Sequence, residues 1–196
     1  KKAKSELYDF IRKTDGKIFI NADNHFLTER GKGIDRITYG TSEGVNCRGE
    51  LTGKHPYIQA EVTYQGRKQN IHSSLIGAYN FENILAAVCA GCYFTVSFDK
   101  IAEAVKNYNP DNNRSQVINT GKNTLIMDAY NANPSSMIAA LYNFFQGDYQ
   151  NRILILGEML ELGKQSQTEH KHIVSQIAAS NVDQIILVGD EFKEFS

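Results

Sequence analysis

The sequence predicts an α/β protein built as two successive units. Three observations predict it. Residues 34–76 run as short alternating β segments, "DRITYG", "VNCRGEL", "YIQAEVTY" and "QNIHSSL", with the period of two that a half-buried strand imposes. From residue 116 the pattern becomes strand, strand, helix, strand, helix, strand. Apolar strands alternating with helices in this way imply a parallel sheet with covering helices. Between the two patterns lies "NPDNNRS" (109–115), the most loop-like stretch in the chain, which sets the units at 1–113 and 114–196.

Taken in order, residues 3–13 place Leu7, Tyr8 and Ile11 on one helical stripe, and Asp15-Gly16 ends that helix. "KIFINAD" (17–23) reads as a buried strand. Gln65-Gly66 signals a hairpin between the last two β segments. Gly77 closes the β region, and "NFENILAAVCAGC" opens a helix. Ser97 offers an N-cap for "FDKIAEAVKNY", whose Phe98, Ile101, Ala104 and Val105 share a face. Strands at 116–119 and 124–128 flank a Gly-Lys turn, followed by helix 134–146, strand 152–156, helix 167–180 and strand 184–188. Lys1 stands inside a helical pattern, and Phe195-Ser196 follow the last strand with no closing element. The expectation is a piece of a larger protein.

Composition narrows the function. Lys+Arg 21 against Asp+Glu 22 leaves a formal charge of -1, so no net basic field exists to grip nucleic acid. No apolar run approaches the roughly 18–20 residues of a membrane span, and no signal-peptide pattern is present. The three cysteines, Cys47, Cys89 and Cys92, suit a reducing cytoplasm. Cys89 and Cys92 form a C-x-x-C, but on an alanine-rich helix without a second pair they read as core residues.

The segment "MDAYNANPSSM" (127–137) concentrates short polar groups at one strand-to-helix turn. In open parallel α/β sheets ligands bind beyond the carboxyl ends of strands, and Asp128 holds that position. Asn133 can cap the next helix, with Pro134 at its first position. Capping leaves Asp128, Tyr130 and Asn131 unexplained; the plain structural alternative is an Asx-rich loop satisfying its own backbone.

"DAYNANPSSM" resembles the D-[SA]-Y-N-A-N-P-x-S-M signature of the Mur ligases. The resemblance continues along the chain. "AKSELYDF" is similar to the A-K-x-E-[IL]-[FY] segment of the family's central ATPase domain, and "INADN" to the strand end that follows it. "GAYNFENILAAV" resembles G-x-H-N-x-x-N-x-L-A-A, and "NRSQV" the arginine at the junction to the last domain. "LILGEMLELGKQSQTEH" resembles L-G-[DE]-M-x-E-L-G-x-x-S-x-x-x-H. There are two departures: the H-N pair is Tyr79-Asn80 here, and Asn113 replaces the glycine before the arginine. None of the Gly-Lys pairs is followed by Ser or Thr, so the phosphate-cradling loop, which precedes these segments in the family, is absent.

The resemblance implies the C-terminal part of a central ATPase domain, followed by a truncated Rossmann-like parallel α/β ligase domain. It implies an ATP- and Mg²⁺-dependent ligase that joins UDP-N-acetylmuramoyl-tripeptide to D-Ala-D-Ala, cytoplasmic and monomeric, with this fragment inactive alone. Lys4 matches the lysine borne as a carbamate; Lys1 and Lys2 are rivals that the spacing to Tyr8 disfavours. A partly desolvated amine can add carbon dioxide and become a hard oxygen ligand for Mg²⁺. Asn83 matches the adenine-reading asparagine, with Asn80 beside it, and a helix cap as its structural alternative. Asp128 matches the ribose-binding aspartate, and the resemblance places it and Asn83 on one nucleotide. Arg114 falls near the nucleotide, while Tyr130, Asn131 and Asn133 fall where dipeptide and acyl phosphate meet. His170 and His172 lie two apart on a helix and so face different ways, which argues against a shared metal ion. Competing readings are a sister ligase or folylpolyglutamate synthase, against which the DAYNANP turn speaks, and a non-catalytic nucleotide-binding module.

Overall fold

The computed structural model describes the backbone of residues 2–54 and 56–195, with side chains from Ser5 onward. Two compact units are present, Lys1–Asn109 and Pro110–Ser196.

The first unit opens with α1 (Lys2–Lys13) and β1 (Lys17–Asn21), followed by a short helix α2 (His25–Arg30) that the sequence pattern did not predict. Asn24 makes α2 possible by accepting the Leu27 amide at 3.2 Å, an N-cap bond. Then come β2 (Asp35–Gly40), β3 (Cys47–Gly53), β4 (Gln59–Tyr64) and β5 (Arg67–His72), forming a five-stranded sheet in the order β1-β2-β3-β4-β5. The β1–β2 and β2–β3 pairs are parallel, while β3–β4 and β4–β5 are antiparallel. The predicted hairpin is present: Gln65 and Gly66 both take left-handed φ, 49° and 77°, and Tyr64 pairs with Arg67.

Helix α3 (Asn80–Tyr93) lies on this sheet and α4 (Phe98–Asn107) packs beside it. Phe81, Ile84, Leu85, Val88 and Cys89 of α3 join Cys47, Ile58, Ala60, Val62 and Ile71 in one core. Gly49 permits the close approach, since a Cβ there would meet Leu85 at 2.8 Å and Phe81 at 2.9 Å. Each such fully buried aliphatic chain contributes roughly 1.5–3 kcal/mol. Cys89 is buried in this core and Cys92, half-buried, packs against it, both as free thiols, as the core reading of that pair expects; Cys47 is buried beside them. Ser97 holds the N-cap position of α4 but its side chain makes no capping bond.

The second unit contains β6 (Gln116–Asn119), β7 (Thr124–Met127), α5 (Pro134–Gln146), β8 (Ile153–Gly157), α6 (Ser166–Ala178) and β9 (Gln184–Val188). The β8–β9 pair is parallel in the predicted manner, with α6 as the crossover. The β6–β7 pair differs: it is an antiparallel hairpin. The reason is length, because Thr120–Asn123 is far too short for the crossover of a dozen residues or more that a parallel pair needs. Met137 and Leu141 of α5, Leu154, Met159, and Ile173 and Ile177 of α6 form the second core. The chain does not end bare after β9. A 3₁₀ helix spans Asp190–Phe195 and buries Phe192 against the His170 ring, centroids 4.8 Å apart. Among the described residues no helix is long and apolar enough to cross a membrane.

Candidate functional site

Strand β7 ends at Met127, which puts Asp128 at its carboxyl end. The following turn is built by α5's need for a cap. Asn133 Oδ1 accepts the Ser136 amide at 3.0 Å and the Ser135 hydroxyl at 2.8 Å, while Ser136 Oγ accepts the Asn133 amide at 3.2 Å. With Pro134 in the first turn this is a complete capping box. The predicted cap is present, and it commits the Asn133 carbonyl oxygen.

The remainder of the turn is zipped to the residues before β6. Ala129 N–H donates to Asn113 O at 2.8 Å, and Ser115 N–H donates to Asp128 Oδ1 at 3.2 Å. Between those two ties stands Arg114, whose guanidinium lies 3.7 Å from the centroid of the Tyr130 ring. Asn113 and Ser115 both take left-handed φ, 57° and 51°, a conformation that asparagine tolerates and serine resists. Asp128, Tyr130 and Asn131 are exposed. The fold therefore brings Arg114, Asp128 and Tyr130 together, although Arg114 and Tyr130 stand sixteen positions apart in sequence.

In the first unit the site residues gather where α3 begins. Gly77 takes a φ of 85°, and a Cβ there would meet the Tyr79 ring at 2.4 Å, so only glycine fits. Asn80 is buried; its Nδ2 donates to Ile76 O at 2.8 Å, and its Oδ1 accepts from Asn83 Nδ2 at 3.1 Å. Asn83 itself is exposed. The capping alternative for Asn83 is corrected: Tyr79 holds the N-cap position, its side chain making no capping bond, and Asn83 lies a turn inside the helix. Asn80 thus fixes the orientation of the Asn83 amide.

Sequence reasoning missed Asp23, just beyond β1. Its carboxylate accepts the Thr41 amide at 2.7 Å, the Thr41 hydroxyl at 3.0 Å and the Ser42 hydroxyl at 2.8 Å. Partial burial opposes its ionisation, but these bonds outweigh that effect and hold the carboxyl below its ordinary range. Asn21, buried, accepts the Asp23 amide at 2.9 Å. Gly40 makes room for this cage, because a side chain there would strike the Asp23 carboxylate, a contact that only the fold reveals.

His170 and His172 both lie on α6, as the sequence predicts. The N-cap of that helix is Gln165, and Ser166 Oγ donates to Glu191 at 2.7 Å. His170 is fully buried; its Nε2 accepts the Met159 amide at 2.9 Å and its Nδ1 lies 2.8 Å from Ser166 O. Nδ1 therefore bears the proton. The ring ties the loop after β8 to α6, and Met159 packs in the same core as Ala132 and Met137. His172 is exposed and pairs with Gln176, so the two histidines share nothing.

The Lys4 side chain lies outside the described residues, although its backbone belongs to α1. Among the described residues no three histidine, cysteine, aspartate or glutamate side chains converge as a metal site.

Comparison with known proteins decides the family. The Mur ligase middle domain matches residues 1–91, and the Mur ligase glutamate ligase domain matches residues 113–196. The chain belongs to the Mur ligase family. Among Mur ligases it is 33% identical to the UDP-N-acetylmuramoyl-tripeptide--D-alanyl-D-alanine ligase of Bacillus subtilis (strain 168), over 95% of this chain and 41% of that protein. A crystal structure of MurF from Acinetobacter baumannii matches with a TM-score of 0.81 and 25% identity, covering 97% of this chain and 42% of that one. The Thermotoga maritima MurF ligase in complex with ADP shares the fold, with a TM-score of 0.71 at 16% identity over 92% of this chain and 45% of that one. The chain thus spans about two fifths of the length of these Mur ligases.

Proposed function

We propose that the whole protein is an ATP-dependent amide ligase that adds D-Ala-D-Ala to UDP-N-acetylmuramoyl-tripeptide during peptidoglycan precursor synthesis, working in the cytoplasm as a monomer. One observation carries the proposal: the 128–133 turn, at a strand's carboxyl end, presents Asp128, Tyr130 and Asn131 to solvent with Arg114 beside them. In this reading residues 1–113 close the ATP-binding domain and residues 114–196 open the ligase domain. The naming of the Bacillus subtilis relative and the ADP complex of the Thermotoga maritima neighbour support it.

The reaction follows from the chemistry of an amide bond. The tripeptide carboxylate attacks the γ-phosphorus of ATP and displaces ADP, giving an acyl phosphate. The amine of D-Ala-D-Ala attacks the acyl carbon, and the tetrahedral intermediate loses a proton and expels inorganic phosphate. Such a sequence needs positioned charge and exclusion of water more than covalent participation by the protein.

Asn83, having given one N–H to Asn80, keeps a carbonyl oxygen and a second N–H, the donor–acceptor pair that complements adenine N6 and N7. Asn80 serves the nucleotide through Asn83. Asp128 receives Ser115 N–H on one oxygen, and a carboxylate offers the acceptor sites that ribose hydroxyls require. Arg114 faces phosphate charge. Tyr130, Asn131 and the amide nitrogen of Asn133 meet the dipeptide and the acyl phosphate. Lys4, as a carbamate, would supply an oxygen ligand to Mg²⁺. A carbon dioxide mass increment on Lys4, or rescue of Lys4→Ala by short carboxylic acids, tests that role; unchanged turnover in Lys4→Ala removes it.

The overall test supplies the whole protein with ATP, UDP-N-acetylmuramoyl-tripeptide and a panel of amine acceptors, and follows phosphate release and product mass. Dipeptide-dependent turnover is expected. Turnover with single amino acids instead would point to a sister ligase, and ATP binding without turnover to a non-catalytic module.

A further inference from the structure

We propose that Tyr130 is a positioning residue for Arg114: its ring holds the guanidinium at the strand-end edge with the N–H fork unspent, ready for phosphate oxygens. The inference rests on the reading of Arg114 as a nucleotide-facing cation, and it changes what Tyr130 does within that reading. A guanidinium 3.7 Å from a ring centroid is in direct contact with it and uses its π face. That contact leaves the five in-plane donors for other partners, as bidentate recognition of a phosphate requires. Among the described residues no acceptor occupies that fork, whereas Arg12, Arg48 and Arg152 all spend donors on nearby oxygens.

The backbone around Arg114 is arranged to the same end. The Ala129–Asn113 and Ser115–Asp128 bonds clamp both neighbours of Arg114 to the segment that bears Tyr130. The left-handed φ at Asn113 and Ser115 reverses the chain on either side of Arg114, a conformation that persists only where surrounding bonds enforce it. A free surface arginine would surrender its rotamer freedom on meeting a phosphate; one already held surrenders less. The ring is 61% exposed, so substitution there disturbs no core, and the exposed stack should be worth about 2–5-fold in affinity.

The test is a double-mutant cycle on the whole protein, reading the Kd of ATP by calorimetry with no acceptor present. Tyr130→Leu should weaken ATP about 2–5-fold. Tyr130→Phe, which keeps the ring, should rescue that loss even where the hydroxyl matters to the acceptor. In an Arg114→Leu background Tyr130→Leu should have no further effect on ATP. The proposal is overturned if the Tyr130→Leu loss persists at full size in the Arg114→Leu background, or if Tyr130→Phe loses as much as Tyr130→Leu. An unchanged Kd in Arg114→Leu alone would instead overturn the nucleotide role of Arg114, and this inference with it.

Discussion

Replacing His170 by alanine isolates a buried polar link in the ligase-domain portion. The imidazole is fully buried, accepts the Met159 amide at 2.9 Å, and meets the Phe192 ring edge-on. Alanine leaves the Met159 N–H without its acceptor, a cost of about 1–3 kcal/mol. Loss of the ring from a closed site adds about 2 kcal/mol for packing and cavity. The sum, about 3–5 kcal/mol, is a large fraction of a typical domain's stability. Because a protein of several domains does not unfold in one step, hydrogen exchange at the Met159 amide is the decisive assay, supported by urea unfolding. His170→Ala should raise exchange at Met159 by two orders of magnitude or more, since about 1.4 kcal/mol is tenfold. His170→Gln, whose carboxamide oxygen can accept the same bond, should recover part of that. Native-like protection of Met159 in His170→Ala would refute the link between His170 and the loop after β8.

Three further outcomes follow from other contacts. Asn133→Ala removes the capping box and should cost about 1 kcal/mol of stability, with Asn133→Asp close to the unchanged protein in urea unfolding; equal losses in both would contradict the cap. The Asp23 carboxyl is held below its usual range, so its stabilising contribution is present above the ordinary carboxylate pKa and disappears as pH falls through the lower folded value. Asp23→Asn should accordingly flatten the acid limb of an unfolding-versus-pH curve, and an unaltered limb would refute the Thr41–Ser42 cage as its cause. Burial, reinforced by neighbouring Cys89, pushes the Cys92 thiol up to about 11. Its thiolate is therefore scarce at neutral pH, and iodoacetamide should leave it unlabelled by mass spectrometry until the protein unfolds; rapid native labelling would contradict that.

What the sequence made legible follows the physics of each signal. Helices with strong periodicity, such as α5 from Pro134 to Gln146, and strands bounded by turns, such as β2 and β9, were readable because the signal is local. The short α2 was not, since one asparagine cap and six residues give too little periodicity. The antiparallel β6–β7 hairpin was hidden behind the expectation of a parallel sheet, although the short Gly-Lys connection already excluded a crossover. At the site, Asp128, Asn133 and Asn83 stood out by residue type and motif. The Arg114–Tyr130 stack and the Asp23 cage did not, because their partners lie sixteen or more positions away and meet only once strands have paired. The role of His170 was not legible either, because a lone helix histidine says nothing of the backbone amide it meets across a loop.

The central claim, that Asn83 and Asp128 serve a purine nucleotide, is tested most directly by titrating ATP onto the whole protein and its single variants in a calorimeter. Asn83→Ala should weaken ATP by roughly 5–150-fold, the worth of a bidentate amide–adenine pair, and Asp128→Ala should weaken it as well. An ATP affinity unmoved by either substitution would contradict the account.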